Sequence, residues 1–471
     1  MKLKQYPNYR KIDLSWIDCL PSEWVLKRAK CLFKPIDVRS DTGEEELLSV
    51  SEKQGVTPRK NVNVTMFKAE SYKGYKLCWP GDLVINSLWA WMQGLGFSKY
   101  HGIISTAYGV YRIKDAYQVQ YKYFDYLFRS AAYLWELRVR SKGIWRSRYQ
   151  LTDDSFLTMP VIIPTEEEQK QIVKYLDFKS AKIAKFIRNK RRLIQLLKEQ
   201  KQAIINQAVT RGINSDAKMK PSGIGWLGDI PEHWDVRRLR TVALVRPSGV
   251  DKNIVDGEIP VRLCNYVDVY KNERILDSME FMNGTAKQEE ISKFQLKEGD
   301  VLITKDSEMW NDIAVPVYVP ETLPGVICAY HLAIVRPKHI NGEYLFRGFL
   351  AESIADQFRV SANGVTRYGL SQGAIKDAWF PVPPCKEQKE IVDFINENTS
   401  KIHLAIEKAN KEIGLIQEYR TRLISDVVTG KVDVRDVKVE DISEEEIIDD
   451  LDVSDDGQDN ENSLEECLDE N

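Results

Sequence analysis

Two stretches of the chain carry apolar residues at steps of three and four, which is the spacing of one face of an α-helix. The first face runs from Ile172 to Ala208, and the second runs from Ile391 to Val427. Each position of the first face falls on a position of the second after a shift of 219 residues. Because both helices carry the same seam, we expect them to pack on one another.

The seams also predict where the helices begin and break. Thr165 and Glu168 have the spacing of a capping box ahead of the first helix. Polar residues interrupt each seam early, so we expect a break that Ser180 or Thr399 recaps, followed by a rod of roughly 45 Å. The residues expected at the seam or in subunit assembly are Ile183, Ile187, Ile194, Leu197 and Ile204, with Ile402, Ile406, Ile413, Ile416 and Leu423 in the second helix.

The segments ahead of the helices have β-rich patterns punctuated by glycine and aromatic residues. They are diverged copies: GDLVIN at 81–86 matches GDVLIT at 299–304, and RYQL at 148–151 matches RYGL at 367–370. The loops between these matches differ in length and composition. A common scaffold with different loops indicates two recognition modules for two different targets.

A tryptophan box opens each copy. The first reads WIDCLPSEW from Trp16 to Trp24, and the second reads WLGDIPEHW from Trp226 to Trp234. Tryptophan could stack on bases, but the regular placement of all four beside proline favours a structural clasp. We expect them to anchor the leading strand of each domain against the helices.

The composition limits the classes of protein to which the chain can belong. No apolar run approaches the 18 residues of a membrane span, and the seven cysteines are dispersed without a CxxC pair. Both features are typical of a cytoplasmic protein with reduced thiols, with no membrane among its partners. The net charge of −3 hides an asymmetry: residues 1–435 hold 66 basic and 53 acidic side chains, whereas 436–471 hold 17 acidic residues and one lysine.

Catalytic motifs are absent from the sequence. It contains neither a phosphate-binding GxxxxGK[ST] loop nor a zinc-binding HExxH helix, and its five histidines lack ligand spacing. Gly223 to Gly228 fits GxGxxG, but it follows Lys220-Pro221 and runs into Pro231. A dinucleotide site needs a strand before this motif and a helix after it, so we reject that interpretation.

The alternation of two Trp boxes with two P-x-x-x-E-Q-x-x-I helix starts resembles the specificity (S, or HsdS) subunits of type I restriction-modification systems. The resemblance covers essentially residues 1–430, and PSGIGWLGDIPEHW is its most specific segment. It implies a mixed α/β (α+β) fold with two tandem target recognition domains, a pseudo-two-fold internal repeat, and two long antiparallel coiled-coil-like helices. The implied domains are 1–158 and 214–379, with spacer helices at 159–213 and 380–430. Separately, the acidic composition of the C-terminal segment, with few aromatic residues, predicts a disordered tail at 431–471.

The resemblance also implies a function without catalysis in this chain. Each domain would read one half of a bipartite, asymmetric site in double-stranded DNA. The helices would set the spacing of the half-sites and dock two methyltransferase subunits, which restriction and translocase subunits join. S-adenosylmethionine, ATP and Mg²⁺ would bind only to those partners, and this chain would hold no cofactor or metal. The alternative that the residues leave open is a two-domain scaffold that binds proteins.

Base reading needs donors and acceptors at loop tips, where Arg and Lys suit guanine and Asn and Gln suit adenine. Arg148 and Arg367 stand in the repeated RY segments, so they suit phosphate contacts better than base readout. The basic stretch 182–201 of the first helix could face DNA or an acidic subunit, or lie solvated. The DNA-binding candidates are Asn86, Gln93, Lys99, Tyr100, Arg146, Arg148 and Tyr149 in the first domain, and Lys305, Asn311, Arg359, Asn363, Arg367 and Tyr368 in the second.

Overall fold

The chain folds into two compact units, each of which receives half of both long helices. The computed structural model describes residues 4–52, 54–61, 71–114, 120–144, 148–365 and 367–440. The first unit comprises residues 1–192 with 409–471, and the second comprises 193–408. The units therefore do not follow the predicted five-part division, because that division treats each helix as a segment of its own.

The first half of the chain alternates short strands with short helices before a helix of 46 residues. Its strands are β1 (Tyr9–Leu14), β2 (Ile17–Pro21), β3 (Val25–Arg28), β4 (Phe33–Pro35), β5 (Leu48–Ser51), β6 (Gly55–Pro58), β7 (Lys76–Cys78), β8 (Leu83–Ile85), β9 (Leu95–Phe97), β10 (Gly102–Ile104), β11 (Gly109–Ile113) and β12 (Pro160–Ile163). Its helices are α1 (Ala29–Leu32), α2 (Tyr121–Phe128), α3 (Ala131–Arg140), α4 (Asp153–Leu157) and α5 (Glu166–Arg211), and 3₁₀ turns lie at Arg59–Asn61 and Ala90–Met92.

The second half repeats this plan and ends in a helix of 44 residues. Its strands are β13 (Met219–Pro221), β14 (Asp229–Pro231), β15 (Asp235–Arg238), β16 (Ala243–Pro247), β17 (Ile259–Cys264), β18 (Met282–Ala286), β19 (Val301–Thr304), β20 (Asp306–Ser307), β21 (Pro316–Tyr318), β22 (Val326–Cys328), β23 (Leu332–Pro337), β24 (Tyr368–Gly369) and β25 (Trp379–Val382). Its helices are α6 (Leu239–Val242), α7 (Tyr266–Lys271), α8 (Gln288–Phe294), α9 (Gly342–Phe349), α10 (Glu352–Ser361), α11 (Gln372–Asp377) and α12 (Cys385–Val428).

Each unit is built on a four-stranded antiparallel sheet with the same strand order. The order is β4-β11-β8-β9 in the first unit and β16-β23-β19-β21 in the second. In both, the strand that follows the Trp box pairs with the strand that precedes the long helix, as β3 with β12 and β15 with β25. The predicted mixed fold and internal repeat are confirmed. The two copies differ beside this sheet. The first unit has the two-stranded sheets β5-β6 and β7-β10, whereas the second unit has the three-stranded sheet β18-β17-β22.

In each copy a buried carboxylate links the two central strands of the sheet. This link explains the repeated Gly-Asp before one of those strands. Asp82 receives two 2.7 Å hydrogen bonds from the guanidinium of Arg112, and Asp300 receives the same pair from Arg336. Both carboxylates are buried. A bidentate guanidinium offsets the cost of removing a carboxylate from water, and it fixes the register of the two central strands.

Both long helices are continuous, so the predicted break at Ser180 and Thr399 is wrong. Both residues are buried inside the helices. The Thr399 hydroxyl donates to the carbonyl of Ile395 at 2.7 Å, within the preceding turn. A hydroxyl satisfied in this way can lie within a helix without capping a new one.

The start of each helix follows the sequence prediction closely. The Thr165 hydroxyl accepts from the Glu168 amide, and the Glu168 carboxylate accepts from the Thr165 amide, so the capping box is confirmed. Gln169 of the repeated Glu-Gln is buried; it donates to Pro164 O at 3.0 Å and accepts from Gln120 N at 3.3 Å. Gln388 makes the same two bonds, to Pro383 O and from Asn341 N. The repeated glutamine thus ties each long helix to the residue that precedes α2 or α9.

Trp24 and Trp234 form the predicted clasp. Both indoles are buried in the main core of their unit. Gly430, just beyond α12, lies against Trp24 and Pro21, and Gly212, just beyond α5, lies against Trp234 and Pro231. Trp16 also packs, edge-on to Tyr133 at 5.0 Å.

The clasp prediction is wrong for Trp226, the first tryptophan of the second box. Trp226 is 41% exposed in the turn between β13 and β14. Its neighbour Leu227 is buried in the core of the second unit instead. The turn therefore contributes Leu227 to the core and leaves the indole of Trp226 at the surface.

The predicted acidic tail begins at residue 431, but the structure packs the first part of that segment into the first unit. Asp433 N donates to Lys4 O at 2.8 Å, and the amide of Gln171 donates to Val434 O and Val437 O at 3.0 and 2.7 Å. The tail boundary was therefore placed too early, because Val432, Val434, Val437 and Val439 join the core. Residues 441–471, which hold most of the acidic side chains, lie outside the described residues.

Two kinds of feature are absent from the described residues. No helix among them combines the length and the apolar character that crossing a membrane requires. Their histidine, cysteine, aspartate and glutamate side chains form no group of three that could hold a metal ion.

Replacing the glycine beyond each long helix with alanine should destabilise the protein. Gly212 and Gly430 have φ of 77° and 76°, a left-handed conformation that costs a residue with a Cβ roughly 1–2 kcal/mol. The new Cβ of Gly430→Ala would also lie 2.5 Å from Pro21 Cδ, so this variant should lose more unfolding free energy than Gly212→Ala. Denaturant unfolding measures both.

Gly414→Ala is the matched control. Gly414 is an exposed residue inside α12, and a Cβ added there would have no atom within 4 Å apart from its chain neighbours and the adjacent helix backbone. Alanine at this position should therefore raise stability by up to about 1 kcal/mol. Equal effects at Gly414 and Gly430 would contradict the clasp.

Candidate nucleic-acid interface

The hairpin between β8 and β9 forms a braced loop in the first unit. Asn86 N donates to Gly94 O at 2.8 Å and closes the loop, residues 86–94. Gln93 has a left-handed φ of 58°, and its side-chain amide donates to Ser130 O at 3.0 Å. The loop is therefore held by its own backbone and by the start of α3, so its exposed side chains are presented in one arrangement.

The RY segment of the first unit, residues 148–151, lies directly beside this loop. Leu151 N donates to Ser87 O at 2.9 Å, and the ring of Tyr149 meets Trp91 edge-on at 5.9 Å. Arg148 is exposed. Asn86, by contrast, is buried, and its amide donates to the Tyr108 hydroxyl at 3.1 Å, so it supports the loop from below.

The structure does not bring Lys99 and Tyr100 to this loop. Gly81 N donates to Ser98 O at the opposite end of the β8-β9 hairpin, and Lys99 and Tyr100 follow there. The two groups are separated by the length of the strands, which a linear reading of residues 86–101 cannot reveal. The remaining candidate of this unit, Arg146, lies outside the described residues.

All six candidates of the second unit gather around the loop that follows β19, residues 305–315. Leu370 N donates to Lys305 O at 2.8 Å, and β20 pairs with β24, so the second RY segment lies beside the loop. Asn363 forms a bridge with Gly369 at the far side of that segment. Arg359 Nε donates to Asn311 O at 3.2 Å. Asn363 and Arg367 are exposed, and Tyr368 is half-buried.

Two of the cations in this cluster are already paired. The guanidinium of Arg359 contacts Glu352 at 2.6 Å and Asp356 at 2.8 Å, and Lys305 Nζ contacts Asp306 at 2.5 Å. Arg359 can therefore bind a phosphate or a base only by exchanging partners. Within the part of the chain that the structure describes, Arg148 and Arg367 have no ion pair, which favours them for phosphate contacts.

Sequence reasoning missed His331 in this cluster. Its Nδ1 lies 3.0 Å from Asp306 Oδ2, and its ring lies 3.6 Å from that of Tyr330. Burial alone would raise the pKa of Asp306, but hydrogen bonds from Lys305 and His331 more than offset this and hold it below the usual value. The only signal in the sequence was position: His331 follows β22 where Tyr108 follows β10.

Large apolar side chains stand exposed at the tip of each loop. They are Leu88 and Trp89 in the first unit, and Met309 and Trp310 in the second. Trp89 is 55% exposed and Trp310 is 54% exposed. Exposed aromatic groups beside arginine and amide side chains are the combination that nucleic-acid-binding surfaces use.

The ten seam residues are all buried or half-buried, and none is exposed. In the first unit, Ile183 and Ile187 pack with Ile413 and Ile416, and Lys190 pairs with Glu412 at 2.5 Å. In the second unit, Ile205 and Val209 share a core with Ile391 and Ile395. In the first unit Ile172 and Leu176 also share a core with Leu423 and Val427, so the two helices run antiparallel there. Large apolar side chains that remain exposed on them are Phe186, Leu193, Leu196, Phe394, Leu404, Leu415 and Tyr419.

Part of the chain matches a known protein family. Residues 231–414 match the type I restriction modification DNA specificity domain. The matched residues lie within the second half of the chain and include the second box from Pro231 onward. The predicted resemblance to specificity subunits of type I restriction-modification systems is therefore confirmed.

A curated relative supports the same family. The chain is 24% identical over 213 residues to a putative type I restriction enzyme MjaX specificity subunit of Methanocaldococcus jannaschii. The aligned region covers 44% of this chain and 48% of the relative. The match thus spans about half the length of that protein.

A solved structure shares the fold. A chain from a study of complex assembly and conformational transition of a type I R-M system matches with a TM-score of 0.64 at 13% identity, over 88% of this chain and 99% of that one. The HsdS subunit from Thermoanaerobacter tengcongensis matches with a lower TM-score of 0.46 at 14% identity, over 87% and 96% of the two chains.

Proposed function

We propose that this specificity-subunit homologue binds double-stranded DNA, and that each unit reads one half of a bipartite, asymmetric site. The observation that carries the proposal is the pairing of a hairpin loop with an RY segment at the same edge of two sheets with the same strand order. The residues around the two loops differ between the units, so they present different donors and acceptors. Two units with different donors and acceptors suit a DNA site whose two halves differ in sequence.

Electrostatics supports a nucleic-acid partner. Residues 1–435 carry a net charge of +13. A cationic body gains affinity for DNA by releasing the counterions of the phosphates that it contacts, so binding should weaken steeply as salt rises. In this proposal Arg148 and Arg367 contact phosphates, while exposed loop side chains contact bases.

The long helices would set the distance between the half-sites and dock two methyltransferase subunits. Their exposed apolar residues, such as Phe186 and Leu415, lie outside the seam that joins the helices. Apolar side chains of this size on a helix surface are typical of a contact with a partner helix. Restriction and translocase subunits would join that assembly, and S-adenosylmethionine, ATP and Mg²⁺ would act in the partners.

Single-molecule sequencing of methylated adenines in the host genome tests the proposal. We expect a bipartite motif with an undefined spacer that disappears when the gene for this chain is deleted. A methylome unchanged by the deletion would contradict the proposal. It would instead favour a scaffold that binds proteins through the exposed loop tips.

The same measurement tests the role of the helices. One heptad inserted after Arg192 in α5 and one after Lys408 in α12 keep the seam pattern and add about 10 Å at 1.5 Å per residue. We expect the spacer of the motif to lengthen by about three base pairs, at 3.4 Å each, with both half-sites unchanged.

Seven residues inserted in the exposed linker at 214–217 provide the control, because this linker lies outside both helices. That variant should keep the original spacer. A heptad variant that methylates the original motif would show that the helices do not set the spacing.

A further inference from the structure

The loop tips of the two units share a feature that readout of base edges does not require. Leu88 and Trp89 form an exposed apolar pair in the first loop, and Met309 and Trp310 form one in the second. Exposure of large apolar side chains costs solubility and calls for an explanation when it recurs at equivalent places. The surrounding loops otherwise differ in length and sequence, so the apolar tip is one of the few properties that the copies share.

The first tip is rigid. The rings of Trp89 and Trp91 stack with centroids 6.2 Å apart and planes inclined by 15°. Trp91 in turn donates from Nε1 to Leu88 O at 3.0 Å, and its own carbonyl accepts from Arg138 Nε at 3.3 Å. Trp89 therefore rests on a second indole that is itself fixed by hydrogen bonds and by the edge of Tyr149.

The second tip is braced by different groups. Met309 N donates to Ser307 Oγ at 3.2 Å, and Tyr270 donates to Asp312 O at 3.0 Å. Between these two contacts along the chain, the carbonyl of Asn311 accepts a hydrogen bond from Arg359 Nε. An apolar group held in place before binding loses little conformational entropy when a partner covers it.

The charges beside each tip identify the partner. Arg148 of the first RY segment and Arg367 of the second are exposed, on the segments that pack against the loops. An apolar wedge with cationic neighbours fits a duplex, because the cations meet phosphates while the wedge enters between base pairs. A purely apolar partner surface would leave these guanidinium groups buried without partners.

We propose that Leu88–Trp89 and Met309–Trp310 are wedges, each of which inserts between two base pairs of its own half-site and kinks the duplex there. This inference rests on the proposed DNA-binding function and adds a mechanism of indirect readout to it. Pyrimidine–purine steps open at the lowest cost, so each half-site contains or adjoins such a step. Part of the specificity then comes from a step that no hydrogen bond reads.

The test uses the full chain and duplexes that carry the motif recovered from the methylome. The fluorescent base 2-aminopurine replaces one base at a time at all positions except the methylated adenines. For the wild-type chain we expect increased emission, which reports unstacking, at one step in each half-site. Trp89→Ala should abolish the signal in one half-site and Trp310→Ala in the other. Each variant should bind the duplex roughly tenfold more weakly, as loss of one aromatic–base stack does.

Trp226→Ala is the matched control, because Trp226 is also an exposed tryptophan but lies in the β13-β14 hairpin. It should leave both unstacking and affinity unchanged, and thermal melting should show that all three variants fold. Wild-type binding without unstacking, or unstacking that survives both substitutions, overturns the wedge and leaves DNA binding intact. If the two tip variants lose association with the methyltransferase while unstacking stays normal, the tips are a protein contact, and this outcome also overturns the wedge. If the wild type binds no duplex, the proposed function itself fails.

Discussion

Both units depend on a buried tryptophan that closes the end of a long helix. Trp234 meets Gly212 beyond α5, and Trp24 meets Gly430 beyond α12. Burying a tryptophan removes about 150–250 Å² from water, which at about 25 cal/mol per Å² is an upper estimate of roughly 4–6 kcal/mol. Glycine is required there, since its left-handed conformation turns the chain while the missing Cβ leaves room for the ring.

A tyrosine completes each helix end. The hydroxyl of Tyr123 donates to Val428 O at 3.2 Å, and the hydroxyl of Tyr344 lies between Pro381 O at 3.1 Å and Val209 O at 3.4 Å. The last carbonyls of a helix have no partner within the helix, so these hydroxyls satisfy acceptors that would otherwise be buried unpaired. The Trp box, the helix end and the helix that follows the sheet are therefore one packing unit, used twice.

The scaffold is repeated, but its polar contacts are not. Tyr126 donates to Asp177 of α5 at 2.7 Å in the first unit, and in the second Arg347 donates to Asn396 of α12 at 2.8 Å. Burial lowers the pKa of Arg347, and Glu273 lies 3.6 Å away with Lys201 beside it. Both units thus have charged groups at this place, but from different residues, because Lys122 also contacts Asp177 at 3.2 Å in the first unit. The apolar contacts fix the fold, which leaves polar positions free to diverge.

The sequence predicted what local patterns and internal repetition encode. Capping at Thr165, the seam residues and the burial of Trp24 and Trp234 all follow from spacing. Thr399 was misread because a hydroxyl can satisfy itself within a helix, which polarity alone does not show. Lys99 was grouped with the loop because a hairpin separates in space what is close in sequence. His331 joined the cluster through strand pairing, which no local pattern encodes.

The central claim is that two independent readers share one scaffold, and replacing residues 31–158 tests it most directly. The equivalent segment of another specificity subunit would be placed between β3 and β12 while both Trp boxes and both long helices stay unchanged. Sequencing of methylated adenines should then show a motif with one new half-site, the original second half-site and the original spacer. A motif in which both half-sites change would contradict the account.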